Sequence, residues 1–92
     1  MNTELNIYKR LKIQSWRRGM KEVDLILGGF IDQHMFLLTE NEISIYEKLL
    51  AEDDQKIFKW VLTPDAVPKE YKKIINKIAK FASSTITKTV AQ

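Results

Sequence analysis

One short stretch, Trp16-Arg17-Arg18-Gly19-Met20-Lys21-Glu22-Val23-Asp24, sits between two amphipathic segments and constrains how the rest of the chain can fold. Gly19 follows two arginines, the pattern of a helix C-terminus. Terminal carbonyls favour cations there, and a glycine at C′ takes the left-handed conformation without a Cβ penalty. A second helix opens at once, with Glu22 and Asp24 in its first turns, where carboxylates complement the positive end of the helix dipole. The spacing therefore predicts a tight helix–helix corner. Two adjacent arginines exceed what a helix stop requires, and a tight corner fans side chains outward from a rigid base, a good way to present a guanidinium to a partner. A plain helix stop and a docking surface both fit this spacing.

Helical periodicity extends from the corner in both directions. Residues 4–17 read as the first helix, with Leu5, Tyr8, Leu11, Ser15 and Trp16 at helical spacing and Thr3 as N-cap, Asn2 being the fallback. The second helix spans about 20–36. On a helical wheel Met20, Val23, Ile26, Leu27, Phe30, Ile31 and His34 form one continuous core arc. Leu25, Gly29 and Phe36 lie across from it. Gly28-Gly29 costs about 1 kcal/mol per glycine in a helix interior. Either the pair weakens the helix or it admits a close neighbour, and this face packs on the last helix or on an outside partner. His34, the sole histidine, has no co-ligands at metal spacing and reads as a packing residue with one hydrogen bond.

Thr39-Glu40-Asn41-Glu42 is a capping box, and Leu38 and Ile43 are placed for a hydrophobic staple. A third helix follows to about Ala51, with Ile43, Ile45, Tyr46, Leu49 and Leu50 inward. Asp53-Asp54 opens a short fourth helix. One aspartate serves as N-cap, which leaves a second carboxylate near the surface. Thr63-Pro64 stops this helix, and Pro68 sits in the first turn of a fifth, about 68–82. There Tyr71, Ile74, Ile75, Ile78, Phe81 and Ala82 oppose a ridge of Lys69, Lys72, Lys73, Lys77 and Lys80, read as a solvated face. The expectation is an all-α compact bundle of about five short helices, a single domain over 1–82, with a disordered tail over 83–92.

What the chain lacks narrows its chemistry. Without cysteine there is no disulfide, thiolate metal site or thiol nucleophile. There is no glycine-rich phosphate loop, no serine with a plausible base, and Glu22 and Asp24 point to different sides of one helix. No enzyme, no metal and no self-held cofactor are expected. No apolar run reaches membrane-span length, and neither a secretory signal nor a transit peptide is visible, so a cytoplasmic protein is expected. Net charge is +3, but residues 1–21 carry +5, residues 22–65 carry −7 and residues 66–92 carry +5. That pattern is not a uniformly basic nucleic-acid binder. An interaction module is the reading. The alternative is a small helical nucleic-acid or regulatory binder using the basic first helix, the Lys69–Lys80 ridge, and Trp16 beside Arg17 and Arg18 as a stacking aromatic.

Arg18-Gly19-Met20-Lys21-Glu22 matches an RGxxE motif. With Arg17, Val23, Asp24, Leu49-Leu50, Asp53-Asp54, Phe58 and Trp60, it resembles the SdhE-type factors that assist covalent FAD attachment to the flavoprotein subunit of succinate dehydrogenase. The resemblance covers roughly residues 8–82; Gly28-Gly29 and the lysine-rich last helix depart from the family pattern. It implies a factor that binds that flavoprotein subunit, or the related fumarate reductase subunit. The factor would hold the client so that a client histidine and the flavin align, while FAD belongs to the client. It also implies that Arg18, Gly19 and Glu22 are partner-binding motif residues, with Arg17, Met20 and Asp24 in support, in a factor expected to be a monomer.

Overall fold

Helical periodicity is realised along the chain as five α-helices joined by short turns. In this computed structural model they are α1 (Thr3–Trp16), α2 (Lys21–His34), α3 (Glu40–Leu49), α4 (Asp54–Leu62) and α5 (Lys72–Val90). The structure describes residues 3–90, with side chains over 5–84. Tight 3-10 turns at Met35–Leu37, Pro64–Ala66 and Lys69–Tyr71 link the helices, and no strand occurs among the described residues. This is the expected all-α bundle.

α2 runs through the middle and packs on α1, α4 and α5. Its arc of Val23, Ile26, Leu27, Phe30 and Ile31 is buried, and meets Leu11, Tyr46, Leu49, Ile57, Ile74, Ile75 and Ile78 from the other helices. Each such side chain contributes about 1.5–3 kcal/mol when fully buried. The core also holds a polar link. The Ser15 and Tyr46 hydroxyls lie 2.6 Å apart, and Tyr46 donates to the Leu27 carbonyl at 3.3 Å, which joins α1, α3 and α2. Buried hydroxyls need such partners.

The two helix-interior glycines are explained by what lies over them. A Cβ on Gly28 would fall 2.2 Å from the Trp16 ring, so the glycine is the seat on which α1 rests its indole. The same indole N–H donates to Asp32 at 3.1 Å, and Asp32 also accepts from Tyr8 and faces Lys12. Gly29 instead faces Phe81 of α5, with a would-be Cβ 3.0 Å from the ring tip. The α5 alternative holds at Gly29, whereas Leu25 and Phe36 on the same side stay exposed.

Several boundaries differ from expectation. Thr3 is the first helical residue of α1 and not its cap; Asn2 lies outside the described residues. α2 stops at His34, and its continuation to Leu37 tightens into 3-10 geometry, common at helix ends. α3 ends at Leu49, two residues before the expected Ala51. Pro68 precedes a 3-10 turn, and α5 proper begins at Lys72. It then continues past the expected end at 82. The expected disordered tail 83–92 is helical in its backbone as far as Val90, and Ala91 and Gln92 lie outside the described residues. Ser83 to Val90 contains neither glycine nor proline, so nothing in it stops a helix once α5 has started. The capping box forms as expected, with Thr39 and Glu42 exchanging both hydrogen bonds.

Candidate functional site at the helix corner

The α1–α2 corner is built around the side chain of Arg18, which turns inward. Its Nε donates to Asp54 Oδ1 at 2.6 Å, one terminal nitrogen donates to the Leu50 carbonyl at 2.5 Å, and the other donates to the Glu52 carbonyl at 2.8 Å. Leu50 and Glu52 follow the end of α3, where carbonyls lack helical partners. A guanidinium fork fits them and the carboxylate at once. Arg18 and Asp54 are 13% and 17% exposed, so solvent screens this pair little. The expectation of a guanidinium fanned outward is corrected here: the cation locks the α1–α2 corner onto the α3–α4 corner.

Gly19 differs from expectation as well. No glycine among the described residues has a positive φ, so the left-handed cap is absent. The position is used for proximity instead. The Gly19 N–H donates to Asp54 Oδ2 at 2.7 Å, and a Cβ there would crowd that oxygen at 3.2 Å. Asp54 is thus claimed from two sides. Burial pushes its carboxyl up, but the Arg18 guanidinium and the Gly19 and Met20 N–H groups outweigh that and hold it below its ordinary value. Of the aspartate doublet, Asp53 is the N-cap of α4, accepting from Gln55 N–H at 3.1 Å, and Asp54 is the carboxylate the cap leaves over.

The remaining motif residues divide between frame and surface. Asp24 accepts the Arg18 backbone N–H at 2.6 Å and belongs to the frame. Met20, extended and half-buried, caps α2 without a side-chain bond and faces Phe58 and Leu62 across a groove. Arg17 and Glu22 are exposed, and neither has an ion-pair partner among the described residues. The structure therefore gathers Arg17, Arg18, Gly19, Met20 and Asp24 at one corner with Asp54, and Glu22 projects from the first turn of α2. The pairing of Asp54 with Arg18 and Gly19, and the groove, were not anticipated from sequence. The unneeded second aspartate was the one visible signal, and its partner lies 36 residues away in the chain.

Trp16 is not free for stacking on a base, because Gly28 and Asp32 occupy its face and its N–H. Arg10 and Lys12 pair with Glu47 and Asp32. His34 stacks on Phe30 at 4.8 Å and meets Phe81 edge-on, as a packing residue should, and its buried Nδ1 has no hydrogen-bond partner among the described residues. Among the described residues no His, Cys, Asp or Glu cluster is arranged to hold a metal ion, and no helix is long and apolar enough to cross a membrane.

Fold and corner together define a small all-α interaction domain whose surface is organised by an internal arginine clamp. A family model described as the flavinator of succinate dehydrogenase matches residues 9–82, and the chain belongs to that family. Among its relatives is the mitochondrial succinate dehydrogenase assembly factor 2 of Dictyostelium discoideum, 39% identical over 78% of this chain and 51% of that protein. The FAD assembly factor SdhE of Coxiella burnetii is 40% identical over 73% of this chain and 83% of its own length. SdhE of Legionella pneumophila strain Lens is 36% identical over 67% and 78%. The chain thus spans about half the length of the mitochondrial relative and most of the bacterial ones.

Proposed function

We propose that this chain binds the flavoprotein subunit of succinate dehydrogenase in the cytoplasm and promotes covalent attachment of FAD to it, without itself being an enzyme or holding the flavin. The reading includes the related fumarate reductase subunit as a second client. The observation that carries it is the RGxxE corner: Arg17 and Glu22, exposed and without an ion-pair partner among the described residues, stand on a surface whose backbone is fixed by the Arg18–Asp54 clamp. A rigid, charged corner suits a partner that must be held in one conformation. Alignment of a client histidine with its flavin lowers the barrier by positioning, while the bond-forming chemistry stays with client and cofactor. In this reading Arg18, Gly19 and Asp24 support the surface from within, and Arg17, Met20 and Glu22 face the client.

The test is production of the flavoprotein subunit with and without this chain, followed by in-gel flavin fluorescence of the denatured client. Covalent flavin should rise with the wild-type chain and fall with Glu22→Ala, whose melting should change by no more than about 0.5 kcal/mol. Equal covalent flavin with and without the chain would overturn the reading.

A further inference from the structure

α4 carries more apolar surface than the core uses. Ile57 and Val61 are buried, but Gln55, Phe58, Lys59 and Leu62 lie at i, i+3, i+4 and i+7 and so form a second stripe along the helix. Of that stripe Gln55, Lys59 and Leu62 are exposed among the described residues, while Phe58 is half-buried, with one edge packed against the core. Leu62 is 63% exposed, and with Phe58, Met20 and Thr63 it walls an open groove of about 500 Å³. A single exposed leucine is ordinary on a protein surface. Here the apolar side chains converge, and one of them, Met20, is set in place by the clamped corner beside it.

The charge on the groove points to the kind of occupant. Lys59 is the only charged residue lining it, and no carboxylate pairs with it among the described residues. Arg10, Lys12, Lys48 and Lys77 each have an acidic partner, but Lys9, Lys21 and most of the α5 lysines have none among the described residues, so it is the position of Lys59 in the groove, and not its lack of a partner, that matters. Lys56, one turn earlier on α4, is likewise exposed and has no ion-pair partner among the described residues. The other apolar groove, around Ile7, Met35, Phe36 and Leu38, has the opposite rim, Glu40 and Glu47. Its apolar wall lies beyond the far end of α2, about 20 Å of helix away, and its Glu47, which also lines a pocket with Arg17 and Arg18, is already paired with Arg10.

We propose that the Met20–Phe58–Leu62 groove receives a short apolar segment of the flavoprotein client that carries a carboxylate opposite Lys59. The proposal rests on the functional reading above and adds where the client's apolar anchor sits and what charge accompanies it. A few side chains that become fully desolvated in a complementary pocket carry most of an interface's affinity, and rim charges tune encounter and orientation.

The experiment measures affinity of the full chain for the purified flavoprotein subunit by titration calorimetry, alongside covalent flavin of the co-produced client. Circular-dichroism melting checks that each variant is folded. Leu62→Asp should weaken binding about tenfold or more, because the anchor is lost and a like charge meets the client's carboxylate. Lys59→Glu should weaken it about fivefold, and Lys59→Arg should stay within about twofold. Leu37→Ser, on the distant turn, should also stay within about twofold. Binding by Leu62→Asp within about twofold of wild type would overturn the groove proposal while leaving the functional reading standing. So would a wild-type dimer, seen by sedimentation, that Leu62→Asp dissociates, since a second copy would then cover the groove. A wild-type chain that neither binds the subunit nor raises its covalent flavin would overturn the functional reading, and the groove proposal with it.

Discussion

Arg18 combines a motif position with a structural task. Its three side-chain hydrogen bonds end on the Asp54 carboxylate, which also accepts from the Gly19 N–H, and on the Leu50 and Glu52 carbonyls beyond the end of α3. Truncation would leave Asp54 partly buried beside orphaned carbonyls, a loss of about 2–3 kcal/mol for charge-assisted bonds. We expect Arg18→Ala to melt on the order of 10 °C lower than wild type. Arg18→Lys should recover less than half of that, because an ammonium cannot span all three acceptors. Urea unfolding of the two variants measures this; an unchanged midpoint for Arg18→Ala would remove the clamp from the account. Loss of client flavin in Arg18→Ala therefore reports stability as well as docking, whereas Glu22→Ala, which removes only a first-turn carboxylate worth a few tenths of a kcal/mol, reports chiefly docking.

Between helices, small residues decide which ring goes where. Gly28→Ala would place a methyl group inside the Trp16 ring, so α1 must shift or the indole must leave Asp32. Such overpacking costs about 1–3 kcal/mol, more than the roughly 1 kcal/mol of helix propensity gained. Gly29→Ala meets only the tip of the half-buried Phe81 ring, which can move by a few tenths of an ångström, so it should come out close to neutral. Thermal melts of the two alanine variants should therefore differ clearly, with Gly28→Ala the lower. Equal melting temperatures would mean that Trp16 does not lie where the structure has it. The same elements show why the end of α3 falls two residues early: the carbonyl of Leu50, its C-cap, is given to Arg18, and a helix end is set by whichever partner claims its free groups.

Across the whole molecule, charge is arranged for internal pairing first. Glu42, its carboxyl held low chiefly by Lys77 and then by the Thr39 N–H, ties α3 to α5, and Asp54 ties α4 to the corner. Both carboxyls are lower in the folded chain than in the unfolded one. Their contribution is therefore complete above about pH 4, the ordinary carboxylate range, and is lost as pH falls through the depressed folded values. Melting temperature should be flat in this respect from neutral pH down to about pH 5 and fall below about pH 4. Asp54→Asn should be less stable at neutral pH, with the gap closing in acid; a constant gap would show that Asp54 is not the titrating group. The lysine ridge is a different matter. Lys69, Lys72, Lys73 and Lys80 are exposed, and Lys77 alone among these residues is paired. Replacing those four by glutamine while keeping Lys77 should leave client affinity within about threefold, roughly 0.7 kcal/mol. A hundredfold loss would make the ridge an interface.

Some of this was legible in the residues alone, and for a common reason. The capping box at Thr39, the stop at Pro64, the core arc of α2 and the inward face of α5 rest on partners three or four positions away, so a local pattern contains both halves of the interaction. The RGxxE corner was legible as a place where two helices meet, and family resemblance attached a function to it. The direction of Arg18, the use of Gly19 for closeness and not for a left-handed turn, the fit of Gly28 beneath Trp16 and the open groove on α4 were not. Each depends on a residue from another helix, and no spacing along one helix specifies which neighbour arrives over it. Local hydrogen-bond chemistry determined the elements; only the packing of α1 and α2 against α3, α4 and α5 decided which charges were consumed inside and which were left for a partner.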